Sequence, residues 1–430
     1  MRVEESHARQ SYAKFNIHHV SKYYSFATHR EAMINPSAHG WIDKFFSGQV
    51  PLDVRANPDT EKFYLSTRDT GFIYGHIISF NTTVPVDSRS WMTDEISKLA
   101  LLNTLYRLYV YVTNDPTPKH FISKTVAFYD EMNPKGFNIF KKVLPGNTPS
   151  SNLENILDER VQTNDNFISK NFSHIVTNAL LFIDVLAFQQ YLAHDAIPEK
   201  YLKKTEEIII NVVSLALKIK TNKSAHDKLL IKLFEASVRY SKFSKTAASG
   251  IDALQLEYFT NDLEKFYLID MAGMALWSDG MIEKEEAYFL HSIGNAMDIS
   301  DKFVIESIDA SNTFITKHKK EIRYFNYSNP VKHFYDHMTE SVVVLITRNK
   351  NRLIKEIRQS GELMVLLAHS ARRDLDPKEK KKVKKQLLEI CKTIPAMTIF
   401  LLPGGSLLLP ILIKFIPQML PSAFNENTED

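Results

Sequence analysis

Apolar positions recur at three- and four-residue spacing over most of the chain, and that spacing predicts helices. A clear early case opens at Thr93, where Asp94 and Glu95 suit the positive N-terminal end of a helix. Leu101, Leu105, Leu108 and Val112 form one stripe along it, and Leu99, Leu102, Tyr106 and Val110 form a second. Two stripes on one helix predict burial on more than one side. From about residue 150 the pattern is helical almost without relief: Phe172, Ile175, Val176, Ala179, Leu180, Ile183, Leu186 and Ala187 hold a stripe, and residues 206–220, 225–242 and 254–277 continue with similar spacing. The first 150 residues are less regular. Residues 63–66 and 71–80 alternate weakly about an Arg-Asp-Thr-Gly signal and predict a small β-hairpin near the N-terminus. The expected fold is mainly α, a multi-helix array in four stretches: a mixed N-terminal region 1–150, a helical region 151–250, a helical module 251–330 and a C-terminal region 331–430.

The last stretch contains an apolar segment, 393–416, whose first 21 residues, Thr393 to Ile413, carry no formal charge. As a helix these would reach about 31 Å, one hydrocarbon thickness. Pro403, Gly404 and Gly405 break the middle, because proline removes a donor and clashes with the preceding turn while glycine loosens the next one. Two readings stand: a proline-broken membrane segment, or a buried helical hairpin of a soluble bundle with Pro-Gly-Gly as its turn.

Composition narrows the class without choosing between them. The chain has 430 residues, 44% apolar and 24% charged, which is ordinary for a globular protein and excludes bulk disorder. Its formal net charge of +3 conceals a concentration: residues 347–392 carry fourteen Lys or Arg against six Asp or Glu. Lys378, Lys380, Lys381, Lys382, Lys384 and Lys385 lie just before the apolar segment, while only Lys414 stands close to its far end. By the positive-inside rule the main body then stays cytoplasmic, at an inner (cytoplasmic) membrane; the alternative is a soluble cytoplasmic protein. The same lysines suit anionic membrane lipids or a phosphate-rich surface. No aromatic residues interleave them, so sequence-specific nucleic-acid binding is not expected. Cys391 is the only cysteine, which excludes an intrachain disulfide and a multi-thiolate metal site. The opening residues MRVEESHARQSYAKF have no apolar h-region and no good transit pattern, so neither leader is expected.

The chain has no phosphate-binding glycine loop, dinucleotide fingerprint, nucleophile elbow or zinc-protease helix, and neither an enzyme nor a cofactor is expected. Asp184 is the single charge between Asn178 and Phe188. A carboxylate there must be ion-paired, protonated or functional, which makes it the candidate ion-handling residue. His333 and His337 would share a helix face and echo an inverted zinc-protease motif, with Asp336 where that motif requires glutamate.

Two local resemblances add to this. Residues 274–300, MALWSDGMIEKEEAYFLHSIGNAMDIS, read as helix, Asp-Gly turn, helix and a cap at Ser300. Asp279, Glu283 and Glu286 either converge on a hard cation or serve as turn and cap residues. The segment resembles tellurite-resistance TerB-like modules, which implies a small helical bundle able to take a protein partner. Further on, Pro395, Pro403, Gly404, Gly405, Pro410, Lys414, Phe415, Pro417, Leu420 and Pro421 punctuate IPAMTIFLLPGGSLLLPILIKFIPQMLPSAF. With Gln386-Leu387-Leu388 before them, these resemble the Letm family, the leucine zipper and EF-hand transmembrane proteins, and especially its bacterial biofilm-associated members. No EF-hand loop or long coiled coil accompanies them. The resemblance implies a membrane protein in cation or proton homeostasis, with a domain that docks on ribosomes. The resulting expectation is a non-enzymatic, Letm-like membrane protein acting in ion homeostasis or in ribosome or membrane docking. Its alternative is a soluble helical interaction scaffold.

Overall fold

The structure, a computed structural model, describes residues 34–53, 59–132, 148–161, 179–220, 250–277, 282–318, 321, 343, 346–370, 373–393, 413 and 416. Every regular element among them is helical, and no strand is present among the described residues. In chain order the body contains α1 (Trp41–Gly48), α2 (Thr60–Asp69), α3 (Thr93–Thr113), α4 (Pro118–Met132), α5 (Pro149–Val161), α6 (Phe182–His194), α7 (Tyr201–Ile219), α8 (Asp262–Leu276), α9 (Lys284–Ala296) and α10 (Asp301–His318). After it come α11 (Lys350–Gln359), α12 (Gly361–Ser370) and α13 (Pro377–Thr393).

One apolar core runs from Trp41 to Val304 and draws on every helix from α1 to α10. The two stripes of α3 bury it on several sides: Leu99, Leu101, Leu102, Leu105 and Leu108 have no exposed surface. α3 packs on α5 and α6, and α8 packs on α2, α7, α9 and α10. α8 is enclosed almost all round, with Leu263, Tyr267, Leu268, Ile269, Met271 and Ala272 fully buried. Each such aliphatic or aromatic side chain contributes about 1.5–3 kcal/mol relative to exposure. Aromatic rings fill the space between helices: Phe266 stacks on Phe303 at 4.2 Å, and Phe182 meets Tyr267 at 4.9 Å.

Of the helix, Asp-Gly turn and helix expected over 274–300, the two helices are present as α8 and α9. Asp279 itself lies outside the described residues. Ser300 then caps α10, its hydroxyl accepting from the Phe303 N–H at 3.3 Å.

The expected N-terminal β-hairpin is corrected. Residues 60–69 are the helix α2, begun by Asp59, whose carboxylate accepts from the Lys62 N–H at 3.0 Å. Phe63, Tyr64, Thr67 and Arg68 share the buried face, and this three- and four-residue spacing overrides the brief alternation. Arg68-Asp69-Thr70-Gly71 is the end of that helix. Gly71 takes φ +80°, and the loop after it closes on itself through Tyr74 N–H to Gly71 O (3.1 Å), His76 N–H to Gly71 O (3.2 Å) and Ile78 N–H to Thr70 O (2.9 Å). These local bonds leave no ladder for a partner strand.

The apolar segment 393–416 lies outside the described residues except for Thr393, Ile413 and Ile416. Among the described residues no helix is long and apolar enough to cross a membrane.

A Cβ on Gly71 would sit 2.0 Å from the His76 carbonyl oxygen and 2.7 Å from the Phe314 ring, in a backbone conformation that L side chains rarely adopt. Gly71→Ala is therefore expected to lower stability by about 2 kcal/mol or more, read by urea denaturation.

Candidate functional site

The three C-terminal helices α11, α12 and α13 pack on one another. α13 starts with a reciprocal cap: the Glu379 N–H donates to the Asp376 carboxylate at 2.8 Å, and the Asp376 N–H donates to the Glu379 carboxylate at 2.9 Å. Pro377 occupies the first helical position, where a missing N–H costs nothing. Arg373 donates to both Glu379 oxygens, at 2.8 and 2.6 Å, and this pairing, with the Asp376 N–H, holds the Glu379 carboxyl down to about 2.

From that start α13 divides into two faces. Val383, Leu387, Ile390 and Cys391 are buried at helical spacing, and Leu353, Ile357, Leu363 and Leu367 of α11 and α12 are buried with them. At the edge, Glu362 of α12 accepts from Lys382 at 2.6 Å and from Gln386 at 2.7 Å, fixing the rotation of α13. Lys378, Lys380, Lys381, Lys384 and Lys385 are exposed and have no ion-pair partner among the described residues. The candidate lysines therefore fall into two groups, Lys382 engaged within the fold and five facing solvent.

This unit is tied to the body by Arg348, just before α11. Its guanidinium donates to Glu95 at the start of α3, at 2.7 Å, and to the Asn35 side chain at 2.6 Å. Glu95 is almost fully buried and also accepts from the Ser37 hydroxyl and the Met92 N–H.

The candidate ion-handling residue Asp184 sits on α6 with no exposed surface. Arg160 of α5 donates to both carboxylate oxygens, and Tyr129 of α4 adds a hydrogen bond at 3.0 Å. The spacing around Asp184 announces its burial, but its partners lie on other helices and leave no local signal.

A second buried carboxylate, Asp270 of α8, is not singled out by the sequence pattern although its neighbours are equally apolar. Tyr64 donates to it at 2.5 Å, Ser307 of α10 donates to its other oxygen, and Arg68 Nη1 lies 3.6 Å away. Burial pushes the Asp270 carboxyl up against the pull of Arg68, and burial beside this carboxylate pushes the Tyr64 phenol well above its usual range.

Of the other candidate cation ligands, Glu283 and Glu286 begin α9 as a reciprocal cap, with the Glu283 N–H donating to Glu286 at 2.9 Å. Asp279, His333, His337 and the proline-rich positions Pro395, Pro403, Gly404, Gly405, Pro410, Lys414, Phe415, Pro417, Leu420 and Pro421 lie outside the described residues.

A family described as LETM1-like, RBD, the ribosome-binding domain, matches residues 375–430, so the match starts at the cap of α13. It supports a Letm family relationship and is compatible with a ribosome- or membrane-related role. The TerB-like and biofilm-associated parts of the resemblance, and lipid or TerB-mediated partners, gain no support from these comparisons. No curated protein and no solved structure matches the chain.

This geometry makes two outcomes testable. Arg160→Met leaves Asp184 buried and unpaired and is expected to cost about 3–5 kcal/mol in equilibrium unfolding, most of it recovered in the Arg160→Met/Asp184→Leu double variant. Burial pushes the Cys391 thiol up to about 12, so in the native chain Cys391 should resist iodoacetamide at neutral pH and become reactive once denaturant opens the α11–α13 unit.

Proposed function

We propose that the chain is a non-enzymatic helical docking protein whose α13 seats on the phosphate surface of a ribosome. The observation that carries this reading is the division of α13, with one face held by α11 and α12 and five lysines left in solvent, inside the residues that match the ribosome-binding family. Five ammonium groups on a rigid helix neutralise phosphates without reading bases, and the release of condensed counterions supplies the binding energy. Nothing aromatic stands among these lysines to stack on bases, in keeping with affinity that does not depend on sequence. Ion handling through Asp184 is the weaker reading, because Arg160 and Tyr129 already engage both of its oxygens.

The test is co-sedimentation of the full chain with purified ribosomes over a salt series. Binding should weaken steeply with salt, by roughly a hundredfold or more between 50 and 200 mM for five phosphate contacts. Changing Lys378, Lys380, Lys381, Lys384 and Lys385 to Gln should flatten the salt dependence and leave the helical circular dichroism intact, since none of the five supports the fold. Equal binding by this variant at every salt concentration would overturn the proposal.

A further inference from the structure

Beyond the docking face, the structure brings a histidine from the loop after α2 against a histidine–glutamate pair at the end of α10. His76 lies in the closed loop after α2, His318 is the last residue of α10, and Glu321 sits in a turn just beyond it, where its N–H donates to the His318 carbonyl at 2.9 Å. The donor atoms of the three side chains all lie within 4.8 Å of one another. Glu321 Oε2 is 2.9 Å from His318 Nδ1 and 3.3 Å from His76 Nε2. Tetrahedral ligation with bonds of about 2.0–2.1 Å needs donors about 3.4 Å apart, so both separations are already close to the required spacing.

We infer that His76, His318 and Glu321 form a binding site for a divalent transition-metal cation of the zinc class. Two imidazoles favour such borderline cations over calcium or magnesium, which take oxygen ligands. Three protein ligands leave the fourth position to water, and it faces solvent because the Glu321 side chain is 60% exposed while that of His318 is only 10% exposed.

Both rings are held before any cation arrives. Phe314 packs on His318 with ring centroids 4.9 Å apart and reaches His76 at 6.3 Å, and Tyr74 backs Phe314 at 4.7 Å. The loop that carries His76 is fixed by its bonds to Gly71 and Thr70. Bound metal would staple the loop after α2 to the end of α10.

The experiment is calorimetric titration of the untagged, chelator-treated full chain with Zn2+, paired with Co2+ absorption as a report on coordination number. One Zn2+ per chain is expected, with four-coordinate cobalt bands and a metal-dependent rise in the unfolding midpoint. His76→Gln and Glu321→Gln should each weaken this binding by about tenfold or more and remove the cobalt bands. Glu321 is exposed, so its variant keeps the test valid if a histidine change disturbs folding. No stoichiometric binding by the parent chain, or the same affinity and cobalt spectrum in the Glu321→Gln variant, would overturn the site. Equal competition by Ca2+ would overturn its assignment to the zinc class.

Discussion

A carboxylate with no exposed surface persists in a helical core only where donors converge on it, and Asp270 imposes that condition at the centre of this fold. Its oxygens draw Tyr64 and Arg68 from α2 and Ser307 from α10. Glu264, nearly two turns earlier on α8, accepts from Gln190 of α6 at 2.9 Å and from Tyr201 of α7 at 2.5 Å, while its other oxygen closes the cap on Asn261. Two acids on one enclosed helix thereby engage four of its neighbours. Dispersion and area burial would accept many rotations of α8, since nearly its whole circumference is apolar. The acids accept few.

The same device recurs away from the centre. Glu154 of α5 receives the Gly40 and Ile42 N–H groups, both at 3.0 Å, placing a fixed negative charge on the N-terminal end of α1. Asp184 joins α6 to α5 and α4, and Glu95 joins α3 to Arg348. Replacing such a pair with well-fitting apolar residues is often neutral, whereas removing one partner is costly. The contribution of these networks is accordingly to which helices meet and in what register, more than to net stability.

How much of the structure the sequence reveals depends on how far each signal reaches along the chain. The double stripe of α3 is a local signal, and it stands as residue spacing implies. The misread hairpin failed on scale: four residues of alternation at 63–66 weigh less than the helical face of Phe63, Tyr64 and Thr67 behind a capping Asp59. The burial of Asp184 was visible and its partner Arg160 was not, because the pairing crosses between helices 24 residues apart. His318 and Glu321 are an ordinary three-residue pair until folding adds His76, 245 residues away from Glu321. Chemistry that depends on such closures leaves almost no trace in a single sequence.

Charge is partitioned in opposite senses in the two parts of the protein. The body encloses acids and satisfies them with arginines, tyrosines and backbone donors, so these internal charges add little to its outer field. In α13 the acids are few: Glu379 closes the cap and Glu389 pairs with Lys392, while Glu362 of α12 takes Lys382 and the other five lysines of the run 378–385 project outward. Because those five lysines hold nothing together, their number can vary without changing the packing of Val383, Leu387 and Ile390. The contact of Arg348 with Glu95 ties this helical unit to the body. Affinity for a phosphate surface and stability of the helical unit thus rest on separate residues of the same helix, which leaves each open to change without loss of the other.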